Sequence, residues 1–193
     1  AVEGNEAIEN KVYTKQQIKS SDKDTILNHI LNANLFPLIR QRPFNKIANP
    51  SSNPRDIFIS GYNTAPLSVD LHPIIEENKD VFQLGLTALS KLTEGKVFLT
   101  LKDEIKFEDV QVQKISGPHP AGNVGIQIHH TKPLKPNEVI WTVNAQHVVT
   151  LGRLFKTGIY DPKITILVGG SGSNKPESLK VTTGVSIHSI MDN

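Results

Sequence analysis

The chain has 193 residues, 37% hydrophobic and 21% charged, values of a globular chain long enough for one domain, or one domain and part of another, without a metal or disulfide staple. Lys and Arg number 21 against 19 Asp and Glu, a net charge of +2 mixed along the chain, and aromatics make up 6%; the basic stripe with interleaved aromatics of nucleic-acid binders is missing, so no nucleic-acid partner is expected. The absence of cysteine excludes a disulfide framework, a thiol nucleophile, a zinc ribbon and a cysteine-ligated iron–sulfur cluster.

The chain begins Ala1-Val2-Glu3-Gly4, and its one methionine is Met191. Nothing near the start has the basic-then-apolar pattern of a signal peptide, and no apolar run approaches the roughly 20 residues of a membrane-spanning helix. The expectation is a soluble chain, processed or excised from something larger. Residues 1–20 are polar with isolated apolar positions and read as a poorly packed lead-in. Ser21-Asp22-Lys23-Asp24 has the shape of a capping box, and Ile26, Leu27, Ile30, Leu31 and Leu35 follow at helical spacing, so a helix is predicted over 22–35, stopped by Pro37.

Arg40-Gln41-Arg42-Pro43-Phe44-Asn45-Lys46 reads as a basic loop. Arg40 and Arg42 could clamp a carboxylate or phosphate; solvated loop charge is the plainer reading. Ile57-Phe58-Ile59 suits a buried strand. Pro73 is placed as the first residue of a second helix, with Val81, Phe82, Gly85, Leu86, Leu89 and Leu92 on one face and Gly95 closing it. Strands are predicted over 96–101, 110–115 and 139–143, and a helix over 145–155 closed by Lys156-Thr157-Gly158. Strands over 164–168 and 179–183 flank a turn at 169–173, and 185–193 starts an element that the chain does not finish. This alternation argues an α/β domain with a mainly parallel sheet. From about Asp161 the strand–turn–strand texture reads as a second, incomplete module.

The densest feature lies at residues 117–130, with His119, His129 and His130, Pro118 and Pro120, and Gly117, Gly122 and Gly125. Imidazole is a common metal ligand, but adjacent histidines point in different directions and no H-x-H or H-x-x-x-H pair is present. The glycine spacing matches neither the dinucleotide fingerprint nor a P-loop, and no G-x-S-x-G elbow marks a hydrolase. The structural reading is a tight strand-to-helix turn in which Pro118 and Pro120 hold His119 in a fixed pose suited to a buried hydrogen bond. Contact with a ligand or partner is the other reading.

The segment Ser-Gly-Pro-His-Pro-Ala-Gly-Asn-Val-Gly at 116–125, followed by IQIHH and by IWTVNAQHVVTLGRLFKTG at 140–158, closely resembles the NqrA family, one of the subunits of the Na⁺-translocating NADH:quinone oxidoreductase. Arg42-Pro43-Phe44 with Lys46, Thr64-Ala65-Pro66-Leu67, the stretch from Gly85 to Val97 and the stretch from Lys163 to Val168 fall in family order, so the resemblance runs from about residue 22 to the end. It implies a polypeptide considerably longer than this chain. Residues 21–160 would form a Rossmann-like domain similar to the flavin domain of the complex I flavoprotein, and residues 161–193 an incomplete β-grasp (SLBB-like) module.

Where the family has Thr-His-Ile-His, this chain has Ile126-Gln127-Ile128-His129, and His147 replaces an acid. The complex I relative carries a glycine-rich flavin-phosphate loop after its first helix; the corresponding residues 40–47 contain no glycine, so backbone N–H groups are kept from close approach to a phosphate. The resemblance thus implies a retained fold with a lost flavin site. This chain would hold no catalytic residue, cofactor or metal. NADH, FAD, FMN, the iron centres and ubiquinone would belong to the whole complex, with the chain inactive in isolation. Its partners would be the other subunits, above all the membrane subunit that reduces quinone, and contact with ubiquinone itself is a further implication. Its place would be peripheral, on the cytoplasmic side of the bacterial inner membrane, and its role docking and quinone access. The turn residues Gly117, Pro118, His119, Pro120, Gly122, Gly125 and His129 are the candidates for facing partner or quinone, and Arg40, Arg42 and Lys46 form a candidate basic loop. Two rivals are an independent FMN- and NADH-binding flavoprotein of the complex I type, opposed by the missing glycines, and a metalloenzyme centred on His119, His129 and His130, opposed by their spacing.

Overall fold

The structure, a computed structural model, describes residues 8–103, 105–171 and 176–191. Six strands form one sheet: β1 (Arg40–Arg42), β2 (Lys46–Ile47), β3 (Ile57–Ser60), β4 (Val97–Leu101), β5 (Gln111–Lys114) and β6 (Ile140–Asn144), in the spatial order β2-β1-β6-β3-β4-β5. The four strands β6, β3, β4 and β5 run parallel; β1 pairs antiparallel with β6, and β2 antiparallel with β1. The expected mainly parallel sheet is therefore present. β3, β4 and β6 are buried on both faces, which is why their sequences are near-continuous apolar runs.

Alternate residues of these strands feed two apolar clusters. Ile57, Ile59, Val97, Leu99, Leu101, Trp141 and Val143 join the larger one with the helices α1 (Lys15–Ser20), α2 (Lys23–Asn32), α3 (Leu71–Glu77), α4 (Lys79–Ser90) and α6 (Ala145–Thr157). Phe58, Phe98 and Ile140 form the smaller one with Ile128 of α5 (Val124–Thr131). Phe58 and Phe98 are register partners whose rings stack at 4.8 Å. The helices α4 and α6 cross closely because Gly85 and Gly152 meet there: a Cβ on Gly152 would lie 1.6 Å from the Val81 carbonyl oxygen.

Several local expectations are corrected. From Tyr13 onward the lead-in is packed, with Tyr13 against Phe155 and His29 and Ile18 fully buried; residues 1–7 lie outside the described residues. Thr14 and Gln17 form a reciprocal cap that starts α1. The Ser21 hydroxyl is used at the end of α1, donating to the Gln17 carbonyl at 2.7 Å, so Asp22 rather than Ser21 caps α2, accepting from the Thr25 N–H at 2.7 Å. That helix ends at Asn32, because Asn34 adopts a left-handed φ of 57°; Pro37 sits inside a separate one-turn 3₁₀ helix, Phe36–Leu38.

The basic loop is a hairpin, β1–β2, attached to the edge of β6. The second predicted helix is two. Asp70 caps α3, so Pro73 is its third residue, and the Asn78 amide turns back to the Ile74 carbonyl at 2.8 Å between α3 and α4. Gly95 permits close approach rather than capping a helix: a Cβ there would fall 1.8 Å from the Arg55 carbonyl oxygen. Nearby, the fully buried Asp56 accepts from Arg55 and Lys132 at 2.7 Å each and from the Lys96 N–H at 3.0 Å.

The strands β7 (Lys163–Val168) and β8 (Glu177–Thr182) form a separate antiparallel pair with Ile164 opposite Val181. The Gln146 side chain fastens β7 to α6, accepting from the Thr165 N–H at 2.7 Å and donating to its carbonyl at 3.0 Å. A short helix, α7 (Ile187–Met191), follows. Of the predicted turn at 169–173, residues 172 and 173 lie outside the described residues, as do 192 and 193 of the unfinished tail. Among the described residues no helix is long and apolar enough to cross a membrane.

Candidate functional site

β3 is first in sequence among the parallel strands, and β6 last. They lie side by side, with Ser60 and Asn144 paired at their C-terminal ends. From β3 the chain moves towards β4 and β5 on one side; it returns through α5 to β6 on the other. Such a switch in winding direction opens a crevice at the carboxyl ends of the strands, where ligands of open α/β sheets bind. A cleft of about 570 Å³ lies there, walled by the β1–β2 hairpin, the ends of β3 and β6, and the first turns of α5 and α6.

The lining contains Arg40, Arg42, His147 and four asparagines, and no Asp or Glu. Arg40 and Arg42 are two apart in a strand and so share one side of it. Arg40 is half-buried and donates from Nη2 to the Asn45 carbonyl. The Nε of Arg42 is buried without a hydrogen-bond partner. Among the described residues neither guanidinium is in an ion pair. Burial pushes the His147 pKa below the ordinary 6.5, with the Leu38 backbone pulling the other way, so this imidazole is neutral at pH 7. Asn144 caps α6 through the Gln146 N–H at 2.9 Å, whereas Asn123 at the start of α5 caps nothing with its side chain and no acid follows in the first turn.

The turn before α5 is held at its base. The Gly122 N–H donates to the Thr64 hydroxyl at 2.9 Å, and a Cβ on Gly122 would lie 2.4 Å from the Thr64 nitrogen, a distance that only glycine permits. The buried Gln127 accepts from the Thr100 hydroxyl at 2.7 Å and donates to the Gly122 carbonyl at 3.1 Å. Gln127 thus ties the turn to β4. His119, by contrast, is exposed, with Nδ1 3.3 Å from the Thr64 hydroxyl; the expected buried hydrogen bond is corrected to a surface contact.

The structure therefore brings Arg40, Arg42, Gly122 and Gly125 together in one cleft. Lys46, Gly117, Pro118, His119, Pro120 and His129 lie outside its lining, and all are exposed. His129 and His130 stand 5.2 Å apart by ring centroids at the end of α5, and among the described residues no three His, Cys, Asp or Glu side chains could hold a metal ion. Sequence reasoning missed Ser60, Asn63 and Asn144 as lining residues. Their signal is position at or just past a strand end, which becomes informative only when the strand order is known.

The NqrA second alpha/beta domain is the family description matched by residues 21–160. Proteins whose names give them as a subunit of Na(+)-translocating NADH-quinone reductase are similar along nearly all of the chain. That of Marinomonas sp. is 34% identical over 193 residues, covering 98% of this chain and 43% of the relative. That of Neisseria meningitidis serogroup B is 35% identical over 195 residues, covering 98% and 44%, and that of Alcanivorax borkumensis 35% over 180 residues, covering 91% and 40%. The chain spans less than half the length of these relatives.

Proposed function

This chain belongs to the NqrA family, and on that premise we propose that it is the central part of the NqrA component of a Na⁺-translocating NADH:quinone reductase, with a docking and quinone-access role and no redox centre of its own. The whole complex oxidises NADH, reduces ubiquinone and moves Na⁺, with FAD, FMN and iron centres on other subunits. In this reading NqrA sits peripherally on the cytoplasmic face, against the membrane subunit that reduces quinone. Residues 21–160 are a Rossmann-like domain, a reading supported by the parallel sheet and its switch in winding direction. Residues 161–193 begin a β-grasp module, a reading supported by the separate β7–β8 pair. α1 packs on α4, which joins residues 15–20 to the first domain.

The residues present do not fit a flavin phosphate cradle at 40–47. That segment is a glycine-free hairpin whose strand residues pair with β6 and with each other, not the glycine-rich turn whose backbone N–H groups could close on a phosphate. No observation favours the independent flavoprotein.

The observation that carries the docking reading is the turn at 117–120, exposed throughout while its base is fixed through Thr64, Gly122 and Gln127. A rigid, solvent-facing turn presents a defined surface to a partner without a cost in ordering. The test is a photoreactive amino acid at position 119 in the intact complex. The expected product is a crosslink to another subunit. Crosslinks confined to NqrA, in a complex that turns over normally, would overturn the docking role of this turn.

A further inference from the structure

We infer that the cleft between β3 and β6 is a binding site for a small phosphate-bearing anion, held by Arg40, Arg42 and the first turn of α5. Charge sets this region apart. Residues 25–55 contain Arg40, Arg42, Lys46 and Arg55 and no Asp or Glu, and the cleft lining contains no carboxylate either. Arginines placed in a concave, partly desolvated setting normally find a carboxylate; these two have none among the described residues. The buried Nε of Arg42 lacks a partner, and a buried donor left unpaired is destabilising. An oxyanion in the cleft gives the two cleft-lining guanidiniums the counter-charge they otherwise lack.

The opposite wall is complementary. α5 begins with no side-chain cap and no acid in its first turn, so its free N–H groups and the positive end of its dipole face the cleft uncompensated. Gly125 lines the cleft, and a Cβ built on it meets nothing within 4 Å. An anion can therefore approach the backbone there closely. Two guanidiniums across from a helix start form a charge-assisted donor set that suits the several oxygens of a phosphate. The glycine loop of a dinucleotide fold is thereby replaced by side-chain cations.

The test uses the full-length protein, titrated calorimetrically with inorganic pyrophosphate at constant ionic strength, and with FMN and a dicarboxylate in parallel. Saturable 1:1 pyrophosphate binding is expected, weakened at least tenfold in Arg40→Gln and in Arg42→Gln and unchanged in Lys46→Gln, whose side chain lies outside the lining. Because loss of an arginine could disturb the hairpin, Gly125→Asp serves as the second variant. It places a carboxylate in open space at a helix start, so the fold should be as stable as before while pyrophosphate binding is lost. Absent binding, binding equal in all variants, dicarboxylate bound as tightly as pyrophosphate, or binding by this chain that disappears in the full-length protein would each overturn the proposal. Tight stoichiometric FMN binding abolished by Arg42→Gln would leave the anion site standing and overturn the proposed lack of a flavin.

Discussion

Ser60 and Asn144 stand opposite each other at the C-terminal ends of β3 and β6, and the chain leaves them in opposite directions. Everything proposed for the cleft follows from that pairing: the hairpin with Arg40 and Arg42 lies beyond β6 on one side, and the start of α5 closes the other. The same pairing puts Asn144 at the cap of α6 and His147 in its first turn.

The crossing of α4 and α6 depends on the absence of two side chains. A Cβ on Gly152 would meet the Val81 carbonyl oxygen at 1.6 Å, and one on Gly85 the Val148 carbonyl oxygen at 2.3 Å. Both obstacles are backbone and cannot rotate away. Gly152→Ala is expected to destabilise the fold by about 1–3 kcal/mol through overpacking. Gly125→Ala, with open space around its Cβ, should be neutral or stabilising by up to about 1 kcal/mol from helix propensity. Urea unfolding of the two variants checks this; equal effects would show that α4 and α6 are not so closely crossed.

The turn before α5 should respond to Gln127 and not to His119. Gln127 is buried and joins Thr100 to Gly122; Gln127→Ala leaves both partners short of a hydrogen bond and should cost about 1–3 kcal/mol. His119 is exposed, and His119→Ala should stay within about 0.5 kcal/mol of the parent. Thermal unfolding distinguishes them, and a larger loss from His119→Ala would restore the buried-histidine reading.

Asp56 predicts the acid limit of stability. Burial alone raises its pKa, but hydrogen bonds from Lys132, the Lys96 N–H and Arg55 outweigh this and hold it below the usual carboxylate range. A group whose pKa is lower in the folded than in the unfolded chain stabilises the fold above the unfolded value, near 3.8, and that contribution disappears as pH falls below it. Asp56→Ala removes the buried acceptor of Arg55, which keeps Glu138, of the part-exposed Lys132 and of the Lys96 N–H, and should cost about 1–3 kcal/mol near neutral pH. The cost should shrink in acid, read as converging unfolding midpoints of variant and parent at low pH.

His29 acts in a higher window. It is buried between Tyr13 and Phe155, and burial, with the Lys11 charge second, lowers its pKa from 6.5. The unfolded chain therefore takes up a proton that the fold refuses, and stability falls as pH drops below 6.5 towards the folded value. His147 contributes with the same sign. His29→Phe should flatten this part of the pH–stability curve without removing it, and an unchanged slope would show that His29 is protonated in the fold.

Much of the fold is legible in the residues because the strands are short apolar runs between punctuation. Ile57-Phe58-Ile59 and the segment around Trp141 can be little else in an α/β chain. The cap of α2 falls one residue later than its sequence suggests because Ser21 is consumed by α1, an element whose short polar sequence carries no periodic signal. The β1–β2 hairpin escapes a sequence reading for a related reason: strands of three and two residues are stabilised by their attachment to β6, a tertiary contact with no local trace. For the cleft, Arg40, Arg42, Gly122 and Gly125 stand out separately, as a basic loop and a turn. Their convergence depends on β6 inserting between β1 and β3, and strand order is not encoded in spacing.

The central claim, that this part of NqrA supports the complex without carrying a redox centre, is tested most directly by the visible absorption spectrum and flavin content of the purified full-length protein. The expected result is no flavin band and no flavin released on denaturation. One flavin per chain, released on unfolding and lost in Arg42→Gln, would contradict it.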